Sequence, residues 1–288
     1  MPSTIDIRRR IRSVKNTQQI TKAMKMVSAA KLRRAQDRIF AARPYAAALR
    51  EVLASVATRV EAAGHPLLQA REEKNVVVMV VTADKGLCGA FNTNAIKAAQ
   101  NVLRDGHWSA VELLPIGRKA NDFFRRRTVP LRPQSAHIVQ ALSLEKAREI
   151  AQVLIDDFIA ENIDAVYVVY NEFRSIISQH VRVERLLPIA KFEETPQAST
   201  QPAIDYLYEP GPEQILSELL PKHIEFQLYR ILLDSAAAEQ GARMTAMEAA
   251  TKNASDMISH LTLTYNRIRQ ASITKEIIEI VSGAAAAQ

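Results

Sequence analysis

The sequence is poor in the residues that build common catalytic and metal sites. It has 1 cysteine and 8 glycines in 288 residues. The single thiol, Cys88, excludes a disulfide framework and a four-cysteine metal site, and it fits a reducing compartment. No glycines form G-x-G-x-x-G or a P-loop, and neither H-E-x-x-H nor G-x-S-x-G occurs. The usual nucleotide, zinc-protease and serine-hydrolase chemistries therefore lack their motifs.

Long apolar runs are also missing. The longest, Val76 to Val81, suits a strand and is far below the ~20 residues of a membrane span. The N-terminus lacks the apolar core of a secretory signal. It is basic and amphipathic like a transit peptide, but its helical pattern continues without a cleavable boundary, so we expect no leader.

The positive charge is concentrated in the first fifth of the chain. Residues 1–60 hold 14 lysines and arginines against 3 acidic residues, a net charge of +11, whereas the remainder carries −4. Such a stretch can attract phosphate, anionic lipid or an acidic protein surface. A solvated helix face rich in lysine and arginine is an equally good interpretation.

The first 60 residues predict one long helix. Residues 3–60 contain no glycine and only Pro44 as proline, which we expect to kink the helix without ending it. In the middle of the helix the positions of the apolar stripe are polar, and the apolar residues Ile20, Met24 and Val27 each lie one position before a stripe position. We therefore expect the buried stripe to drift around the helix. The stripe has spacings of four and three: Ile7, Ile11, Val14, Gln18, Thr21, Lys25, Ser28, Leu32, Ala35, Ile39, Ala42, Ala46, Leu49, Leu53, Val56 and Val60.

The C-terminal part predicts a second long helix, with Pro221 in its first turn. Two such helices at opposite ends of a chain are expected to pair as an antiparallel coiled coil, with Ile11 near Ile277. The predicted stripe comprises Ile224, Leu228, Ile231 and Ala238, then the small and polar Ala242, Thr245, Ala249 and Asn253, then Ile258, Leu261, Tyr265, Ile268, Ile273, Ile277 and Ile280.

The middle of the chain alternates strands with helices, which predicts an α/β domain with a mostly parallel sheet. Strands are predicted at 75–82, 111–116, 165–170 and 180–187, and helices at 93–103, 118–127 and 144–161. The fold class is thus a long antiparallel coiled coil of N- and C-terminal helices plus a central α/β, Rossmann-like domain. The predicted divisions are 1–60 (first helix), 61–74 (connector), 75–188 (α/β domain), 189–212 (linker) and 213–288 (last helix).

No group of residues indicates catalysis, a cofactor or a metal. The segment 83–92 follows the first strand, where α/β sheets place ligands, but its glycine spacing favours a tight turn. Cys88 has no base nearby in sequence and is expected to be a small packed residue. The adjacent carboxylates Asp156–Asp157 and Glu193–Glu194 are expected to be solvated charges.

Four segments carry a resemblance to a known family. They are NTQ followed by ITKAMKMVSAAKLR (residues 16–18 and 20–33), DKGLCGAFN (84–92), ARMTAMEAATKNA (242–254) and RQASITKEIIEIVSGAAA (269–286). Together they resemble the gamma subunits of F-type ATP synthases over essentially the whole chain. The lack of an insertion with extra cysteines favours the bacterial type.

The resemblance implies a non-catalytic rotor shaft that transmits torque between a membrane c ring and a hexamer of three alpha and three beta subunits. The epsilon subunit is a further implied partner. The implied location, reached through the complex, is the cytoplasmic face of the bacterial inner membrane, with the matrix side of the mitochondrial inner membrane as the alternative. No nucleic acid or cofactor is implied. The implied contacts with the hexamer are Met24, Lys25, Arg243, Arg269, Gln270, Thr274 and Glu276, and those with the c ring are Tyr206 and Glu209.

Alternatives to the rotor remain at this point. A basic coiled coil can bind nucleic acid or act as a scaffold, although its basic positions have few interleaved aromatics. An α/β enzyme with helical arms would need a catalytic constellation. Met24, Lys25 and Met26 fit either ordinary methionine packing or a weakly interlocked seam that must slide past a partner.

Overall fold

The computed structural model describes residues 3–57, 65–133, 142–190 and 211–286. The chain forms two compact units, one of Met1–Ser28 with Arg243–Gln288 and one of Ala29–Ala242; we call them the helix-pair unit and the α/β unit. The helices are α1 Thr4–Ala57, α2 Phe91–Asp105, α3 Arg118–Phe124, α4 Leu144–Ile159 and α5 Pro212–Ala286, with a short 3-10 helix at Pro66–Leu68. The strands are β1 Asn75–Val81, β2 Ala110–Ile116, β3 Ala165–Phe173 and β4 Gln179–Leu187.

The α/β unit is built on a four-stranded sheet in the order β2-β1-β3-β4. Strand β1 pairs in parallel with both β2 and β3, and β4 joins β3 as an antiparallel edge. The predicted fold class, with its mostly parallel sheet, is confirmed. The continuous apolar run of β1 follows from this position, because a central strand covered on both faces has no solvent side.

Alternate side chains of β1 enter two different cores, as the pleat requires. Val77 and Met79 face a core formed with α4, the C-terminal part of α1 and the first half of α5. Val76 and Val78 face the opposite core, formed with α2 and α3.

Helix α5 begins earlier than Pro221 suggests. It starts at Pro212, and Pro221 lies inside it, so the prediction of Pro221 in the first turn is wrong. Proline removes one backbone hydrogen bond from a helix interior, but Leu216 and Leu220 are buried in the core just before it. That apolar contact holds the extra turns in place.

Candidate partner-contact surface of the helix pair

Side-chain contacts spaced along the described part of the helix-pair unit show how α1 meets α5, and we call the line of contact the seam. Arg8 Nη2 donates to the Tyr265 hydroxyl at 2.5 Å, the Thr21 and Thr251 hydroxyls lie 2.7 Å apart, and Lys25 Nζ is 2.6 Å from Glu248 Oε1. From one contact to the next, the residue numbers increase along α1 and decrease along α5. The two helices therefore pair antiparallel, as predicted.

The middle of this seam is polar. Thr21 is 8% exposed and Ser28 2%, and every described position of the predicted α1 stripe is buried or half-buried. The expected drift toward the apolar neighbours is wrong at Ile20 and Val27, which are 60% and 54% exposed, whereas Met24 is half-buried like the stripe position Lys25 beside it. Helix α5 supplies partners for two of the polar residues, Thr251 for Thr21 and Glu248 for Lys25, while the apolar Ile20 and Val27 face outward.

The α5 side of the seam shows a similar correction. Thr245, Ala249 and Asn253 are exposed, whereas Met247 and Ala254 are buried. Small residues occur on several faces of this stretch, so the sequence did not distinguish the buried face. The predicted Ile258, Leu261, Tyr265 and Ile268 are half-buried, in agreement with the stripe.

The last turns of α5 have exposed side chains. Residues 269–283 are exposed throughout, and we call 269–286 the C-terminal tip. Because Tyr265 lies beside Arg8, Ile277 extends about 18 Å further along the axis. Ile11 lies on the other side of Arg8, so the expected proximity of Ile11 to Ile277 is wrong. The exposed apolar residues of the tip are Ile273, Ile277, Ile278, Ile280 and Val281.

The predicted hexamer contacts fall into two groups. Lys25 is paired with Glu248, Met24 is half-buried and Arg243 is buried. The others lie along the tip, where the Thr274 hydroxyl donates to the Gln270 carbonyl at 2.9 Å. Tyr206 and Glu209 lie outside the described residues. The exposed tip residues are Arg269, Gln270, Thr274 and Glu276.

Sequence reasoning missed Ile20 and Val27 as surface residues. The signal was present, because both are apolar yet fall outside the 4-3 stripe. Because apolar residues are buried more often than they are exposed, the same signal also predicts a shift of the buried face.

The segment after β1 in the α/β unit forms a tight turn. Asn92 Oδ1 accepts from the Ala83 amide at 2.9 Å, and Asp84 Oδ1 accepts from the Arg118 amide at 3.0 Å. Cys88 is buried beside Phe91. These contacts tie the ends of β1 and β2 to the following helices, which agrees with the predicted turn.

The adjacent carboxylates on α4 are not both simple solvated charges. Asp157 Oδ2 lies 2.6 Å from Arg132 Nη1, and the same guanidinium contacts Glu112 on β2. Burial lowers the pKa of Arg132, but its hydrogen bonds to Glu112 and Asp157 outweigh that effect and leave the pKa raised. Glu193 and Glu194 lie outside the described residues.

A polar cluster that the sequence did not reveal joins the sheet to α5. Glu184 on β4 accepts from Tyr170 at 2.8 Å, from Gln227 at 2.8 Å and from Arg230 at 3.0 Å. Burial opposes the charge of Glu184, yet the Arg230 guanidinium and these donors outweigh it and lower the pKa of the carboxyl. Burial, with Glu184 next to it, raises the pKa of Tyr170. The cluster is a fixed charged anchor with Glu184 ionised.

Across the described part of the chain, no three histidine, cysteine, aspartate or glutamate side chains are placed to hold a metal ion. None of the helices there is long and apolar enough to cross a membrane. A helix pair with a polar seam and outward apolar groups, joined to an α/β unit, has the features of a structural subunit that acts by contact with other proteins.

Comparisons with known proteins identify the family. A family model described as ATP synthase matches residues 3–287. An ATP synthase gamma chain of Solibacter usitatus is 54% identical over 292 residues, covering 100% of both chains. The gamma chain of Chlorobaculum parvum is 49% identical over 290 residues, covering 99% of this chain and 98% of its own. The chain therefore belongs to the ATP synthase gamma-chain family.

Solved structures agree with this assignment. A chain of the central stalk and c-ring structure of the Tetrahymena thermophila mitochondrial ATP synthase is 26% identical, with a TM-score of 0.59, covering 80% of this chain and 99% of its own. A chain of the Euglena gracilis mitochondrial ATP synthase has the same fold, at 21% identity and a TM-score of 0.64 over 98% of this chain and 94% of its own. Members of this family are non-catalytic central-stalk subunits, peripheral components of a complex whose catalytic sites lie on the beta subunits.

Proposed function

We propose that this chain is the rotor of a proton-translocating F-type ATP synthase. In this role it transmits torque between the c ring and the catalytic alpha/beta hexamer. The gamma-chain family supports this role, and so does the likeness to a chain from a central stalk and c-ring structure. The bacterial gamma chains among its relatives favour the cytoplasmic face of a bacterial inner membrane over the mitochondrial matrix side.

The outward apolar surface of the helix-pair unit carries the proposal. Ile20 and Val27 lie on α1 of this unit and are exposed although they are large and apolar. The C-terminal tip continues beyond the Arg8–Tyr265 contact with five exposed apolar side chains. Both features are typical of a surface that is covered by other subunits after assembly.

We propose the following partners for the contact residues that the family resemblance implies. The half-buried Met24 and the ion-paired Lys25 lie next to the exposed apolar groups of α1. A further partner is the epsilon subunit. The residues proposed to meet the alpha/beta hexamer are Met24, Lys25, Arg243, Arg269, Gln270, Thr274 and Glu276, and those proposed to meet the c ring are Tyr206 and Glu209.

Removal of the tip tests the role. A chain that ends at Ile268 loses residues 269–288, whose described side chains up to residue 283 are all exposed. We expect it to keep the helical content and melting temperature of the full chain and to assemble with alpha, beta and epsilon. We also expect it to reduce proton-driven ATP synthesis strongly.

A companion variant keeps the full length of the chain and replaces the apolar tip residues Ile273, Ile277 and Ile280 by serine. It should reproduce part of the coupling defect without altering chain length. Unchanged ATP synthesis in the truncated complex would contradict the proposed role of the tip. Robust ATP hydrolysis by the purified chain alone would contradict the non-catalytic assignment.

A further inference from the structure

The polar seam of the helix-pair unit holds a directional contact at its centre. The Thr21 and Thr251 hydroxyls face each other across the seam at 2.7 Å. Thr21 also lies 3.0 Å from the Gln18 carbonyl, and Thr251 lies 2.7 Å from the Met247 carbonyl. Each hydroxyl has one proton, so one threonine donates to the other and the second donates to its own helix. Both protons are used.

The flanking contacts agree with one axial register. Arg8 and Lys25 are 17 residues apart on α1, and their partners Tyr265 and Glu248 are also 17 residues apart on α5. Both flanking side chains are long and flexible, and they can follow a small slide of one helix along the other. The two threonine side chains are short and cannot.

We propose that Thr21 and Thr251 are positioning residues that lock the axial register of α1 against α5. A slide of about one turn would place Thr21 opposite Met247 or Ala254, neither of which has a hydroxyl. The hydrophobic effect is non-directional, whereas a polar pair at a helix–helix seam can specify register; here Thr21 is buried and Thr251 half-buried.

The lock also determines what the helix pair presents to its surroundings. With Thr21 directed at α5, Ile20 faces outward, as its exposure shows. A slide would move the outward groups of α1 relative to those of α5. This consequence rests on the proposed rotor function, whereas the register itself does not.

The register is measurable on the full chain. In a Cys88→Ser background, spin labels at Lys22→Cys and Asn266→Cys lie on exposed positions of α1 and α5. Dipolar EPR should give one dominant distance for the parent chain, with a second distance only sparsely populated. Thr21→Val with Thr251→Val keeps the side-chain shape and removes both hydroxyls. We expect it to raise about tenfold the population of a second distance, displaced by about 5 Å, one helical turn.

Matched controls separate the lock from a general loss of hydroxyls. Thr17 and Thr262 are exposed and donate to carbonyls of their own helices at 3.1 Å and 2.7 Å, so Thr17→Val with Thr262→Val should keep the parent distance. Thr21→Ser with Thr251→Ser retains both hydroxyls and should restore the dominant parent distance. Each single valine variant should equal the double variant, because either one breaks the shared bond.

A parent-like distance distribution in the double valine variant would overturn the lock. In the assembled complex, the same variant should lower the number of protons pumped per ATP hydrolysed, and the serine pair should restore it. A shifted register with intact coupling would count against the rotor role and leave the lock standing.

Discussion

At the scale of single residues, the carboxyl ends of β1 and β2 depend on one glycine. Gly117 has a φ of +92°, and a Cβ at this position would lie 2.1 Å from the Thr82 carbonyl oxygen. The Thr82 hydroxyl accepts from the Ala120 amide at 2.9 Å, which fixes the start of α3. The close approach of two backbones therefore requires a residue without a side chain.

We expect Gly117→Ala to lower the free energy of unfolding by at least about 2 kcal/mol, since backbone strain alone costs about 1–3 kcal/mol and the clash adds to it. Thermal or urea unfolding of the full chain measures the change. Gly86 is a control at the same edge of the sheet, because a Cβ there would meet nothing within 4 Å. Equal stability of the two alanine variants would contradict the proposed backbone contact.

The Glu184 carboxyl gives the α/β unit an acid-sensitive contact. Its pKa is lowered in the folded chain because the Arg230 guanidinium and the surrounding donors outweigh burial. A lowered folded pKa means that the stabilisation is complete above the unfolded pKa of about 4.3. It is then lost as the pH falls through the folded value. Stability should therefore decrease as the pH is lowered below about 4.

Glu184→Gln should lower the free energy of unfolding by about 1–3 kcal/mol at pH 7, because the hydrogen bonds to a charged group are lost. It should also flatten the dependence on pH below 4, as measured by urea unfolding at several pH values. Glu161→Gln is a suitable control, since its carboxylate is exposed and lies 3.9 Å from Arg71. An acid profile unchanged by Glu184→Gln would contradict the assignment.

At the scale of elements, the burial of apolar side chains on α5 differs between its two halves. Leu228 is 0% exposed in the core of the α/β unit, whereas Leu263 in the helix-pair unit is 71% exposed. Leu228→Ala should cost about 2–5 kcal/mol of unfolding free energy through lost burial and a cavity. Leu263→Ala should change stability by less than about 0.5 kcal/mol. Chemical unfolding of the two variants tests this difference, and a similar loss in both would refute it.

The strands and short helices were predictable because their signals are local. The run from Val76 to Val81 has no polar face, and β1 lies where that pattern requires. The predicted division at 213 lies next to the observed start of α5 at Pro212, but Pro221 was wrongly expected in the first turn, because a proline signals a helix beginning unless tertiary contacts compensate. Leu216 and Leu220 provide those contacts, and contacts between distant segments are not a local signal.

The seam of the helix pair could be predicted only in part. The 4-3 spacing of α1 identified the buried positions correctly even where they are polar, as at Thr21 and Ser28. The predicted drift fails at Ile20 and Val27, where the 4-3 spacing rather than hydrophobicity decides which side chains are buried. The axial register was also wrong, since it depends on which side chains meet across the seam, such as Arg8 with Tyr265.

At the scale of the whole molecule, the proposed rotor must act by unequal contacts. Coupling between sites is a difference in interaction free energy. One chain inside a ring of three alpha and three beta subunits can therefore hold identical catalytic sites in different states only if it makes different contacts with each of them. The +11 net charge of residues 1–60 suits weak contacts, since exposed ion pairs contribute about 0–1 kcal/mol each. Weak contacts can be made and released during rotation.

The exposed apolar groups of α1 should therefore matter to the complex and not to the isolated chain. Ile20→Thr with Val27→Thr keeps β-branched side chains and changes two exposed positions, so the isolated chain should unfold within about 0.5 kcal/mol of the parent. The assembled enzyme should lose coupled ATP synthesis because the outward contact is weakened. Ile7→Thr is the inward control: Ile7 is buried in the seam, so that change should destabilise the chain itself. If the paired threonine variant unfolded as readily as Ile7→Thr, or assembled and coupled like the parent, then Ile20 and Val27 would not form a partner surface.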